Sequence, residues 1–112
     1  MRVRGFTLVE IMIVVLIIGV LMGIAVPQFL RARELSRQRT CISNLRKIED
    51  AKEMRAMELR LNNGDPCTMA DIVPTYLRNA PTCSAGGALT SMNHGVNPTC
   101  TYNIAPFAHV LP

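Results

Sequence analysis

An unbroken apolar run dominates the opening of the chain. No charged residue falls between Ile11 and Val26. At ~1.5 Å per helical residue, residues 6–30 reach about 37 Å, against a hydrocarbon core of ~30 Å. A chain of 112 residues cannot bury so long and pure a helix, because the remainder is too short for a large core. The run therefore reads as a membrane helix. Glu10 stands near its head, where a carboxylate costs roughly 2.5–3.5 kcal/mol on insertion scales and so demands a partner. Gly19 and Gly23 form a G-x-x-x-G pair that lets two helix backbones approach closely in lipid. Pro27 removes one backbone hydrogen bond and predicts a kinked or loosened turn before it.

Residues 31–61 continue the helix. They lack Pro and Gly and are rich in Leu, Ala, Met, Arg, Lys and Glu, all good helix formers. Leu35, Cys41, Ile42, Leu45, Ile48, Ala56 and Leu59 share half of the helical wheel, interrupted by Glu49, Lys52 and Glu53. This stripe must be covered by the chain's own C-terminal part or by a neighbouring chain. The cluster Asn62, Asn63, Gly64, Asp65, Pro66 stops the helix.

Residues 62–112 predict a small headgroup. Thr68 to Asp71 has the form of a capping box, with Asp in place of Glu, opening a short helical turn. Residues 80–81 and 85–87 read as turns. Residues 88–92 and 99–104 predict two short strands around a turn at 93–98. The fold class expected is α+β, a long N-terminal helix carrying a small headgroup with a short β-hairpin.

Cys41, Cys67, Cys83 and Cys100 all lie beyond the apolar run. If that part is exported, an even count in a small headgroup predicts two disulfides, with three connectivities open. The candidate hairpin favours Cys83–Cys100, leaving Cys41–Cys67. Such cross-links contribute ~2–4 kcal/mol each, which a headgroup with two Tyr, three Phe and no Trp in the whole chain needs. Flanking charge opposes export: Arg31, Arg33, Arg37 and Arg39 outnumber Arg2 and Arg4, which places the C-terminal part in the cytoplasm.

Catalytic and cofactor chemistry finds no foothold. No cysteine pair has C-x-x-C spacing, so a zinc site is not expected, and no metal or cofactor is assigned. There is no phosphate-binding glycine loop, and after Asp71 the sole charged residue is Arg78, so neither an acid–base pair nor a calcium site is expected. The formal charge of +4 does not single out nucleic acid as a partner, and the arginines at 31–39 read as a collar at the membrane edge.

The stretch G-F-T-L-V-E at residues 5–10, the apolar run behind it and Pro27 together resemble the N-terminus of type IV prepilins and type II secretion pseudopilins. The resemblance extends over about residues 1–61. It implies a leader, residues 1–5, removed by prepilin peptidase between Gly5 and Phe6, with methylation of the new Phe6 amine. It implies a helix at 6–30 that spans the bacterial inner membrane, N-terminus in the cytoplasm, before forming a filament core; an amphipathic helix at 31–61; and a headgroup at 62–112 in an oxidising compartment. That topology overrules the charge count, because the secretion machinery sets it. The implied function is a non-enzymatic filament subunit, assembled with copies of itself and other pilins by a platform protein and an ATPase, ending in a surface pilus or a periplasmic pseudopilus. Glu10 is the implied assembly residue, and Gly19, Gly23 and Pro27 mark where the helix loosens and packs. Cys-x-Ala-Gly-Gly at 83–87, Asn-Pro-Thr-Cys at 97–100 and the terminal His-Val-Leu-Pro resemble small bacterial pilin-like proteins with short tails, while the tail lacks the acidic loop of calcium-binding major pseudopilins. Two other readings compete. One is a secreted disulfide protein cut after a Gly23-Ile24-Ala25 site; the other is a single-span anchored binding module.

Overall fold

The computed structural model describes residues Met1–Pro112. The element order is α1 (Leu8–Leu59), α2 (Met69–Ile72), β1 (Leu89–Thr90) and β2 (Thr99–Cys100). Two compact units divide the chain, Met1–Arg33 and Glu34–Pro112.

In the first unit, residues 1–7 have no regular secondary structure and are exposed, and α1 begins at Leu8. Every large apolar side chain from Phe6 to Leu30 is exposed, from 47% at Val14 to 79% at Phe6. The most apolar 18-residue window of α1 has a mean hydropathy of 2.9 and is 0% buried. Each such side chain stabilises by ~1.5–3 kcal/mol when removed from water, so this unit requires lipid or other helices around it. The chain stays helical through Pro27, where the sequence predicts a disturbed turn. The proline ring faces the carbonyl of Gly23, four residues earlier, and Gly23 carries no side chain to crowd it further.

In the second unit, Cys41, Leu45, Ile48, Ala51 and Lys52 form the buried face of α1. Their spacing of three and four residues is the helical period. Of the stripe read from sequence, Cys41, Leu45 and Ile48 are fully buried, while Leu35 and Leu59 remain 37% and 54% exposed. Ile48, Ala51, Cys67 and Ile72 form the core, flanked by Met69, Val73, Tyr76, Leu77 and Leu89. The expected covering by the chain's own tail therefore holds for the middle of the stripe.

Little of that tail is regular. β1 and β2 pair antiparallel, with Leu89 opposite Cys100 and Thr90 opposite Thr99, so the hairpin exists but each strand is two residues long. Backbone groups outside a ladder need other partners, and polar side chains on α1 supply them. Gln38 donates to the Ala108 carbonyl (2.8 Å) and Asn44 to the Thr82 carbonyl (2.9 Å). Lys52 donates to the Val96 carbonyl. Arg55 donates to the Pro66 carbonyl (3.4 Å) and to His94 Nε2 (2.9 Å). Tyr76 donates to Glu58 at 2.6 Å. Two loops also clasp each other, the Gly64 amide donating to the His94 carbonyl (2.8 Å) and the His94 amide to the Asp65 carbonyl (3.0 Å).

α1 ends at Leu59, two residues before the boundary read from sequence. Arg60 has φ +53, and the Leu61 amide donates to the Ala56 carbonyl at 3.0 Å. This six-to-one bond is the Schellman motif, with arginine in the left-handed position usually given to glycine. The expected box at Thr68 is present: Asp71 Oδ2 accepts from the Thr68 amide (2.7 Å) and hydroxyl (2.8 Å).

Candidate functional site

Two places concentrate chemistry, one in each unit. The first is the entry to α1. Thr7 caps the helix, its Oγ1 accepting the Glu10 amide at 3.2 Å. Glu10 is the acidic residue of the first turn, where a carboxylate is favoured by the unpaired amides and the helix dipole. Thr7-x-x-Glu10 is thus half of a capping box, a local role for Glu10 that the sequence reading missed although the spacing announces it. Gly5 has no atom within 4 Å of where a side chain would stand, and the Gly5–Phe6 bond lies in exposed backbone outside any helix or strand. Gly19 and Gly23 likewise have open space beside them, a surface that another backbone can approach.

The second place lies in the headgroup. The structure contains no disulfide; all four cysteines are free thiols. Cys41 is not beside Cys67. Its sulfur gathers with Cys83 Sγ, Cys100 Sγ and a His109 nitrogen, all within 4.8 Å of one another. Cys67 instead packs with Ile48, Ala51 and Ile72, at least two helical turns along α1 from Cys41. Ile48 is seven residues from Cys41, or about 10 Å along the axis. Cys83 and Cys100 do come together, as the hairpin reading requires, but as part of a four-donor group.

Four separate segments build this group. Cys41 projects from the buried face of α1. Cys83 precedes the turn at residues 84–86, in which the Gly86 amide donates to the Cys83 carbonyl (3.1 Å) and Gly86 adopts φ +92. Cys100 ends β2. His109 comes from the C-terminal strap, held by Gln38 on the Ala108 carbonyl and by a tilted stack on Tyr102 with centroids 4.7 Å apart. Cys83 Sγ lies 3.3 Å from His109 Nδ1, and Cys100 Sγ lies 4.0 Å from it. Gly87 permits the approach. A Cβ there would stand 2.7 Å from Cys100 Sγ and 2.9 Å from the Tyr102 amide nitrogen.

The electrostatics of the group are uneven. Burial pushes the Cys41 thiol up, reinforced by Cys83 and Cys100. Burial also acts to raise Cys83, but the backbone amides of Ala85 and Gly87, with the thiols of Cys41 and Cys100, outweigh it and the net shift is downward. Burial holds His109 below the ordinary imidazole range, partly opposed by Glu34. The surroundings of Cys83 thus favour its thiolate, and those of His109 favour the neutral imidazole. Two hollows at the surface lie elsewhere, one beside Lys52 and His94, the other beside Met54 and Tyr76.

Sequence reading set metal aside for want of C-x-x-C spacing and gave His94 and His109 no role. The gaps of 42, 17 and 9 residues leave no short-range signature. The one available signal was a buried-type donor, His109, in an otherwise apolar C-terminal strap.

Comparison with known proteins bears on the first place. The family "Prokaryotic N-terminal methylation motif" matches residues 1–26. The chain is 46% identical over 52 residues to the type IV major pilin protein PilA of Myxococcus xanthus, which covers 46% of this chain and 24% of that protein. It is 32% identical over 83 residues to the type II secretion system core protein G of Aeromonas hydrophila, covering 74% of this chain and 54% of that one. The type IV narrow pilus major component PilA5 of Thermus thermophilus is 28% identical over 116 aligned positions, covering 87% of this chain and 100% of that one. The chain thus spans about a quarter to a half of the pilin and core protein G lengths it matches at higher identity. No solved structure matches it.

Proposed function

We propose that this chain is a structural subunit of a type IV pilus or of the related type II secretion pseudopilus. The observation that carries the reading is the pairing of the methylation motif at residues 1–26 with a helical segment, residues 8–30, whose large apolar side chains are all exposed. Such a helix first requires a membrane and then a bundle of its own kind. Prepilin peptidase cuts between Gly5 and Phe6, and the Phe6 amine is methylated. The helix anchors the chain in the inner membrane with its N-terminus in the cytoplasm. A platform protein and an ATPase then draw it into a filament of its own copies and other pilins. Gly19 and Gly23 supply the close helix–helix approach, and Pro27 supplies a turn short of one hydrogen bond. Similarity to core protein G of a secretion system and to major pilins supports both filament types. Presence in sheared surface filaments marks the pilus subunit; a secretion defect without such filaments marks the pseudopilin.

Glu10 is the assembly residue in this reading. After cleavage the Phe6 amine is a cation at the same depth, and Glu10 pairs with that amine on the adjacent subunit, setting axial register. Its cap position makes the test discriminating. Gln at this position of a capping box retains the helix-start chemistry but loses the charge. Glu10→Gln is therefore expected to leave cleavage and helix content intact and to abolish filaments, measured by N-terminal sequencing of the membrane fraction and by recovery of sheared filaments. Normal filament yield in Glu10→Gln would sink the pairing. A mature N-terminus at Val26 would sink the pilin reading and establish an ordinary signal peptide. An uncut Met1 would establish an anchored module.

A further inference from the structure

We propose that Cys41, Cys83, Cys100 and His109 form a structural Zn2+ site that fastens the C-terminal headgroup to α1. A Cys3His set is a structural zinc donor set, and thiolate sulfur selects such a soft ion over calcium or magnesium. With Zn–S near 2.3 Å and Zn–N near 2.0–2.1 Å, a tetrahedral site has S···S edges of about 3.8 Å and S···N edges of about 3.5 Å. The cysteine pairs here are 3.5 Å apart, and the two S···N distances at His109 Nδ1 are 3.3 and 4.0 Å. The largest separation, 4.8 Å, asks for a movement of about 1 Å to reach those edges.

A disulfide accounts for fewer of the same atoms. Three thiols meet, so a bridge between any two strands the third beside it and gives the buried imidazole no role. One ion uses all four donors. The surroundings also match a thiolate ligand: Cys83 sits under the amides of Ala85 and Gly87, and the missing side chain of Gly87 leaves room for Cys100. With Nδ1 on the metal, the proton resides on Nε2, which is buried with no acceptor in the chain; this is the one outer-shell position the chain leaves open. Cys100 is half-buried and marks the way in.

The step is a ligand exchange without electron transfer. Zn2+ forms three Zn–S bonds and one Zn–N bond, three S–H bonds break, and three protons leave to solvent, giving a site of net charge −1. Because the ligands come from four segments whose only regular pairing is a two-residue-strand hairpin, binding free energy here contributes to the folding free energy of the headgroup.

The test uses the full chain in detergent micelles, prepared under reductant and stripped with chelator. Zn2+ is expected to bind at one ion per chain by elemental analysis. Co2+ in its place is expected to show sulfur-to-cobalt charge transfer and tetrahedral visible bands. Zn2+ is expected to shield Cys41, Cys83 and Cys100, but not Cys67, from alkylation. Cys100→Ser and His109→Ala are expected to weaken binding by about 100-fold or more, since even outer-shell changes cost 10–100-fold, while Cys67→Ser leaves it unchanged. The proposal is overturned if the unaltered chain retains no metal, if Cys67→Ser weakens binding as much as Cys100→Ser, or if chain isolated without reductant carries a disulfide among Cys41, Cys83 and Cys100 and no zinc. None of these readouts involves filament formation, so the site stands or falls separately from the assembly role.

Discussion

Lys52 offers the sharpest energetic test of how the headgroup is held. Its side chain is 1% exposed, its ammonium bonded to Glu49 at 3.0 Å and to the Val96 carbonyl. At 3.0 Å and an effective dielectric of 20, the pair is worth about 5.5 kcal/mol of attraction. The several kcal/mol spent desolvating the ammonium offset most of it. Glu49→Gln removes the attraction and leaves the desolvation. Breaking a buried pair in this way costs about 3–5 kcal/mol, and Glu49 is 24% exposed, so water recovers part and a loss of about 2–3 kcal/mol is expected. Lys52→Met removes both opposing quantities and leaves only the Val96 carbonyl to re-pair, a loss of about 1 kcal/mol. The more conservative substitution is therefore the more damaging. Hydrogen exchange of the Gly64 and His94 amides, which clasp the two loops, reads this out. Protection falls roughly 30- to 140-fold in Glu49→Gln at 1.4 kcal/mol per decade, and much less in Lys52→Met. A change under threefold in Glu49→Gln, or the reverse order, refutes the reasoning.

Two further outcomes are expected. Arg60→Gly relieves a left-handed residue that costs about 1–2 kcal/mol against added unfolded-state freedom. It should raise headgroup stability by about 0.5–1 kcal/mol in urea unfolding, while Arg60→Ala gives no gain. Asp71 accepts the Thr68 amide and hydroxyl, which, with lesser help from Arg55, hold its carboxyl below the usual range. Its contribution is therefore complete above the unfolded value of ~3.9 and is lost as pH falls through the lower folded value. A carboxyl NMR titration of Asp71 should give a midpoint below the ordinary aspartate value, rising toward it in Thr68→Ala as the hydroxyl bond is removed.

The regular parts of this chain were legible and the irregular parts were not, for a physical reason. Residues 8–59 form a helix because propensity, period and the absence of Gly and Pro after Pro27 agree along its length. The buried face at Cys41, Leu45 and Ile48 follows from the same period. The β1–β2 pairing was readable from β-branched residues around a turn, although its two-residue length was not. Strand ends there depend on where Gln38, Asn44, Lys52 and Arg55 capture carbonyls, and such side chains advertise nothing in sequence. The disulfide pairing read from sequence is unconfirmed, and Cys41 lies apart from Cys67 for a related reason. Pairing Cys41 with Cys67 followed from elimination once the hairpin claimed Cys83 and Cys100. The headgroup instead brings Cys83 and Cys100 to Cys41, together with His109 from its terminal strap. Glu10 was noticed as a cost before its place in the first turn, with its amide capped by Thr7, was noticed.

The Thr7 cap has a consequence for the order of events at the membrane. The residue that closes the helix start, Thr7, follows the proposed cleavage bond between Gly5 and Phe6, and its bond to the Glu10 amide uses no atom of residues 1–5. Removing the leader therefore takes no hydrogen bond from the helix. If the proposed cleavage between Gly5 and Phe6 occurs, trimming and folding are decoupled: the helix start is capped from within the remaining residues before and after the cut, and only the new terminal charge distinguishes the two.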